Sequence, residues 1–224
     1  MNLARQLAGY GLHLRGITRL DPREIAALGL PDDKPSIALV GNIGSSYWPV
    51  FVRSAEYRDG QPDSLDRWSR RVAETVAQEF PVQPVYPFEG PPFYPFQQWA
   101  QRAEALERSP IGIMMHPEYG LWHSYRFALL GNGFEVEPQR PMANSPCIEC
   151  ADKPCLQRCP VDAFDGKGYD VESCTGYLQQ TPAAECHDTG CLARYACPVA
   201  PELRYTPAQG QFHLRAFLAR RHKG

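Results

Sequence analysis

Eight cysteines stand between Cys147 and Cys197, and the 146 residues ahead of them hold none. They run Cys147-x2-Cys150-x4-Cys155-x3-Cys159-Pro160, then Cys174, then Cys186-x4-Cys191-x5-Cys197-Pro198. Thiolates are soft donors, and short spacings let successive sulfurs converge on one centre. Two groups of four, each closing on Cys-Pro, point to two iron–sulfur centres. Proline after a ligand fixes the backbone dihedral and removes an N–H, so the chain leaves the centre in one direction. Zinc and disulfides are the alternatives. Zinc modules usually show two CxxC pairs, whereas only Cys147-Ile-Glu-Cys150 is such a pair here. Disulfides are disfavoured in a reducing cytoplasm, the expected compartment.

The pattern is close to the bacterial two-cluster ferredoxin run, in which the Cys-Pro cysteine of each motif ligates the other cluster. Applied here, one [4Fe–4S] cluster takes Cys147, Cys150, Cys155 and Cys197. The other takes Cys174, Cys186, Cys191 and Cys159. Two gaps depart from that run: four residues separate Cys150 from Cys155, and five separate Cys191 from Cys197. The widened gaps bear on the allocation of Cys155, Cys186 and Cys191. Loss of one ligand's reach gives a three-iron or open-corner cluster.

Upstream, the sequence predicts short helices over 2–9 and 22–28, the second opened by Asp21 as N-cap with Pro22 at its first position. Ser36 to Val40 reads as a buried strand running into Gly41-Asn-Ile-Gly44. That turn lacks the third glycine and the later acidic residue of a dinucleotide fingerprint. Leu65, Trp68, Val72, Val76 and Phe80 recur every three or four positions, which predicts an amphipathic helix over 64–80 with Arg67, Arg70 and Arg71 on a basic side that is solvated or, as the alternative, binds an anion. Residues 81–95 are dense in proline and rings, predicting an ordered loop without regular elements. That loop is either pinned by aromatic packing or walls a pocket for a flat ligand. A helix over 97–106, a strand over 111–115, a turn at His116 with a second strand ending at Leu130, a linker over 141–146 and a helix over 211–223 follow.

The 224 residues allow one large core or a domain plus a small module. With 43% hydrophobic and 21% charged residues the composition is that of a soluble globular chain. A net charge of -2 gives no general pull toward nucleic acid or acidic membranes. No apolar run approaches the ~20 residues that span a bilayer, and the first residues show no secretory h-region. The expectation is a cytoplasmic protein with neither nucleic-acid nor membrane partners.

Several motifs carry a family resemblance. Cys147-x2-Cys150…Cys155-x3-Cys159-Pro-Val-Asp-Ala-Phe164 resembles the cluster module of epoxyqueuosine reductases, whose motif ends Cys-Pro-x-Gly-Ala; Asp162 stands at the glycine. Cys174-Thr-Gly-Tyr-Leu178 and His116-Pro-Glu-Tyr-Gly-Leu-Trp122 are similar to segments of the same family. Leu65 to Arg71, Phe88-Glu-Gly-Pro-Pro92 and Gly190-Cys-Leu-Ala-Arg194 also look like a group of bacterial proteins labelled only as ferredoxins. The resemblance implies an α/β (α+β) fold: a nitroreductase-like, cobalamin-binding α/β domain over 1–140 and a small ferredoxin-like double-cluster module over 141–224. It also implies a proton-donating aspartate, for which Asp66 is the candidate; its plainer role is charge at a helix N-terminus. No counterpart is expected of the repeat extension that the family uses for transfer RNA.

His116, His123 and His187 read as surface or supporting groups, with cobalt or haem ligation as the alternative. Tyr47, Trp48, Tyr94 and Trp99 read as core, or as a platform for a macrocycle. The leading functional expectation is an electron-transfer protein whose two clusters serve a site in the first domain and a donor or acceptor protein. A cobalamin-dependent reductase or corrinoid-handling enzyme is the alternative, and a non-catalytic redox- or iron-sensing module the third.

Overall fold

The computed structural model describes residues 2–33, 35–136 and 145–221, so most of the expected 141–146 linker lies outside it. The chain divides into two compact units, Met1–Ala105 with His123–Pro141, and Leu106–Trp122 with Met142–Gly224. Residues 106–122, which a boundary at 140 groups with the first domain, cluster with the cysteine segment. Six strands occur among the described residues: β1 (His13–Arg19), β2 (Ser36–Ile43), β3 (Gln83–Val85), β4 (Glu107–Arg108), β5 (Met114–Met115) and β6 (His123–Gly131).

The first unit is a four-stranded sheet in the order β1-β2-β6-β3, antiparallel throughout, with helices packed on it. β2 is buried from Ser36 to Asn42, the pattern of a strand covered on both faces. It runs past the strand expected to end at Val40. The register with β6 shifts between Val40 and Gly41, and a Cβ at Gly41 would sit 1.9 Å from the Ser124 carbonyl oxygen. Gly41 is therefore a close-approach glycine of the sheet, not part of a phosphate loop.

Three strands, β1, β3 and β4, escaped the sequence reading. β1 lacks clean alternation, and β3 corrects the expectation that no regular element survives in 81–95. Gln83–Val85 pairs only with β6, at the sheet edge, where Pro84 costs least.

The helix Ser64–Glu79 buries Leu65, Trp68, Val72 and Val76. Its arginines are paired rather than merely solvated. Arg67 forks onto Asp59 at 2.8 Å, Arg71 reaches Glu56 at 2.5 Å, and Arg70 reaches Glu89 at 2.6 Å while lying 4.5 Å from the Tyr86 ring centre. The helix Pro22–Leu28 has the Asp21 cap expected of it, closed into a capping box by Glu24. Glu24 also accepts the Trp99 indole N–H at 2.6 Å, tying that cap to the helix Phe96–Ala103. That helix stops three residues short of the expected 106.

Beneath the sheet end lies a polar cluster the sequence did not announce. Arg15, with a side chain only 2% exposed, forks onto Glu104 at 2.8 and 3.0 Å and donates to the Asn42 carbonyl at 3.1 Å. The Tyr125 hydroxyl donates to Glu104, and the His123 ring nitrogen Nδ1 lies 3.4 Å from Arg15. Burial first, then the Glu104 charge, push the Tyr125 hydroxyl far above its usual range.

In the second unit only Met114–Met115 of the expected 111–115 strand forms, paired with Glu107–Arg108. Residues 109–112 turn instead, with the Gly112 N–H donating to the Ser109 carbonyl at 2.9 Å. The short helices Pro146–Glu149, Pro154–Gln157 and Cys186–Thr189 carry Cys147, Cys155 and Cys186, Cys150 and Cys191 cap Pro146–Glu149 and Leu192–Tyr195, and Val171–Gln180 carries Cys174. The closing helix is Pro207–Arg221. At Gly210 it crosses the Cys186–Thr189 segment closely enough that a Cβ would lie 2.0 Å from the Thr189 carbonyl.

Glu104→Gln leaves the buried Arg15 charge without its counter-charge, and urea unfolding is expected to show a loss of about 3–5 kcal/mol. Exchange of exposed Glu107 for Gln is expected to stay within about 0.5 kcal/mol.

Candidate metal centres

The thiols fall into two neighbourhoods. Cys147 feels the charges of Cys197, Cys155 and Cys150; Cys155 feels Cys197 and Cys150; and Cys197 feels Cys150. Cys174 feels Cys159, Cys186 feels Cys174 and Cys159, and Cys191 feels Cys174 and Cys186. These influences group Cys147, Cys150, Cys155 and Cys197, and Cys159, Cys174, Cys186 and Cys191, while Cys159 and Cys191 also pack against the apolar cluster that holds Cys155 and Cys197. A small cavity is lined by all four cysteines of the first set together with Met115 and Leu121.

The surroundings are apolar. Ile111, Met115, Leu121, Phe164 and Ala193 pack around Cys155 and Cys197, while Leu178, Ala184 and Leu192 pack around Cys186. Burial is the first cause lifting the thiol values of Cys147, Cys155, Cys174, Cys186 and Cys197, with neighbouring sulfurs adding to it. It pushes Cys191 up to about 11. Polar support comes from the backbone. The Ala163 N–H donates to Cys159 Sγ at 3.3 Å, the Leu192 N–H to Cys186, those of Ala193 and Arg194 to Cys191, and the Val199 N–H to Cys197. Such N–H···S bonds favour thiolate and tune the potential of a bound cluster. Among the described residues no three of His, Cys, Asp or Glu close on a single-ion site. All eight cysteines are free of disulfides.

Supporting residues come from outside the cysteine run. Arg194 lies 5.1 Å from the Trp122 ring centre and 4.3 Å from that of Tyr205, and donates to the Leu121 carbonyl. Tyr169 stacks on Phe164 at 4.6 Å and hydrogen-bonds Cys174. Asp162, where the resembled motif has glycine, has φ 48, the left-handed region. Its N–H closes a turn on the Cys159 carbonyl at 3.3 Å, which explains why glycine suits that position. The sequence flagged the substitution but not the conformation.

The remaining candidates have structural surroundings. His116 Nδ1 accepts from the Glu118 and Tyr119 N–H groups at 3.0 and 3.2 Å, and His187 Nε2 lies 3.0 Å from the Leu178 carbonyl. His123 belongs to the Arg15 cluster. Tyr47, Trp48 and Trp99 are buried in the first unit, and Tyr94 stacks on Trp99 at 5.9 Å. Asp66 occupies the first turn of Ser64–Glu79, where a carboxylate suits the helix dipole.

No family model and no curated protein matches the chain. Solved structures do. A selenomethionine-labelled epoxyqueuosine reductase is 17% identical with a TM-score of 0.51, covering 93% of this chain and 69% of its own. An epoxyqueuosine reductase with an epoxyqueuosine-modified tRNA-Tyr stem loop gives 17%, 93%, 69% and 0.46. One from Bacillus subtilis, its catalytic loop swung out of the active site, gives 17%, 93%, 71% and 0.45. The chain has a mixed α/β fold similar to that of epoxyqueuosine reductase. Among the described residues no helix is long and apolar enough to cross a membrane.

Two outcomes are expected. Asp162→Gly relieves the left-handed strain and raises stability by about 1 kcal/mol in urea unfolding, whereas Asp162→Val lowers it. The metal-free protein loses stability as pH rises from 9.0 towards about 11, because burial raises the thiol value and the fold accepts the neutral form. Cys191→Ser shrinks that loss, read from urea midpoints across the range.

Proposed function

We propose that the protein is an iron–sulfur redox protein of reductase type, with one [4Fe–4S] cluster on Cys147, Cys150, Cys155 and Cys197 and a second on Cys159, Cys174, Cys186 and Cys191. The observation that supports this reading is the grouping of eight buried or half-buried thiols into two fours, each of which takes the Cys-Pro cysteine of the other sequence group. The donor set suits iron: soft thiolates, apolar walls and N–H groups aimed at sulfur. When bound, such clusters accept and release single electrons. The chain's own residues hold them in place, exclude water through Met115, Leu121, Phe164 and Leu192, and set the local field with backbone donors.

A second reading, cobalamin-dependent reduction in the first unit with Asp66 as proton donor, is favoured by the fold likeness to epoxyqueuosine reductase. It asks that the first unit hold a corrinoid and receive electrons from the clusters. A plain electron carrier between protein partners asks for no such group.

Protein prepared without oxygen is expected to contain about eight iron and eight sulfide per chain, and cobalt retained after added cobalamin separates the enzyme from the carrier. Serine at Cys159 and serine at Cys174 are expected to leave the same residual electron-spin signal, with about half the iron; serine at Cys197 and at Cys147 leave the other. A Cys159 variant matching the Cys147 variant overturns the allocation.

A further inference from the structure

A cavity of about 490 Å³ opens within the second unit beside Cys147. Its size lies within the range of small-molecule sites. Three cations line it from separate stretches of chain: Arg108, Lys153 and Lys167. The Arg108 guanidinium folds back over Gly112, 3.6 Å from where a Cβ would stand. Neither Arg108 nor Lys153 joins a salt bridge among the described residues, while Lys167 neighbours Asp165. Glu107 is the acidic residue of the lining, outweighed by the three cations.

Two further observations point to a ligand. Ser109 lines the cavity and is only 5% exposed, yet among the described residues its buried hydroxyl oxygen has no hydrogen-bond partner. A buried hydroxyl left unpaired is costly and asks for an acceptor. Ile148 also lines the cavity while 73% exposed, an apolar side chain left in water at its rim. Lys153 holds φ 38 there, the strained left-handed backbone that tends to gather at functional sites.

We propose that this cavity binds a small organic anion, with its charged group met by Arg108, Lys153, Lys167 and the Ser109 hydroxyl and its apolar body covering Ile148 and Tyr169. An inorganic anion would leave Ile148 uncovered, and a neutral ring would leave the cations and Ser109 unmet. The bound molecule would touch Cys147 of the first thiol set and Tyr169, which hydrogen-bonds Cys174 of the second. Its role as a redox substrate or effector rests on the two-cluster reading; the binding does not.

The test is calorimetric titration of the full chain, prepared without oxygen and assayed for iron, with phenyl phosphate, inorganic phosphate and phenol. Phenyl phosphate is expected to bind at least about tenfold more tightly than either fragment. Arg108→Gln, Lys167→Gln and Ser109→Ala are each expected to weaken it by about tenfold with iron content unchanged. Arg158→Gln, a surface cation paired with Glu185 outside the lining, is expected to leave it unchanged. Absence of phenyl phosphate binding at millimolar concentration overturns the site, as does equal loss in the Arg158 variant or none in the Arg108 variant. Binding with this variant pattern in protein that holds no iron supports the site while the cluster reading fails.

Discussion

Packing eight thiols, three buried and five half-buried, into one small unit is the constraint on which the second unit depends. The proposed allocation draws the fourth member of each set from the far sequence group, which asks that Cys197 return to Cys147 and that Cys159 be carried to Cys174 and Cys186. Water is kept out by a modest apolar shell, Ile111, Met115, Leu121 and Phe164 on one side and Leu178, Ala184 and Leu192 on the other. The return path is fixed by few contacts. Arg194 is held between the rings of Trp122 and Tyr205, and the Pro207–Arg221 helix approaches Thr189 where Gly210 offers no side chain. Desolvation favours neutral thiols, whereas a metal asks for thiolates; the N–H groups directed at sulfur narrow that gap.

The first unit solves a different problem. Its sheet is buried along β2 and along β6 from Phe127 onward, and the charges it cannot expel are paired. Arg15 and Glu104 stand 89 positions apart and meet with fork geometry, supported by Tyr125 and the Asn42 carbonyl. Arg67, Arg70 and Arg71 each find a carboxylate as well. The cations around the second unit's cavity are less fully engaged, which is why that cavity and not the basic helix face reads as an anion site.

Much of the local architecture was legible in the residues. The stripe from Leu65 to Val76, the Asp21 cap with its proline and the apolar run from Ser36 need only local periodicity and capping chemistry, and each formed, the strand running on from Val40 to Ile43. β3 was not legible, because Pro84 has no N–H to give a partner and argues against a strand except at an edge, where its nitrogen faces away from the sheet. The Ile111–Met115 run was over-read: Gly112, at φ 79, turns the chain there.

By itself the sequence determined the inventory of soft donors: eight thiols, two Cys-Pro endings and the short spacings between them. Those are properties of residue type and short separation. Only the tertiary structure decided which thiols are neighbours, that Asp162 takes a glycine's conformation, and that Ser109, Arg108, Lys153 and Lys167 share one cavity. The reason is physical. Spacing fixes what a segment can reach locally, whereas long-range proximity follows from burial summed over many side chains, and no single stretch of the chain encodes it.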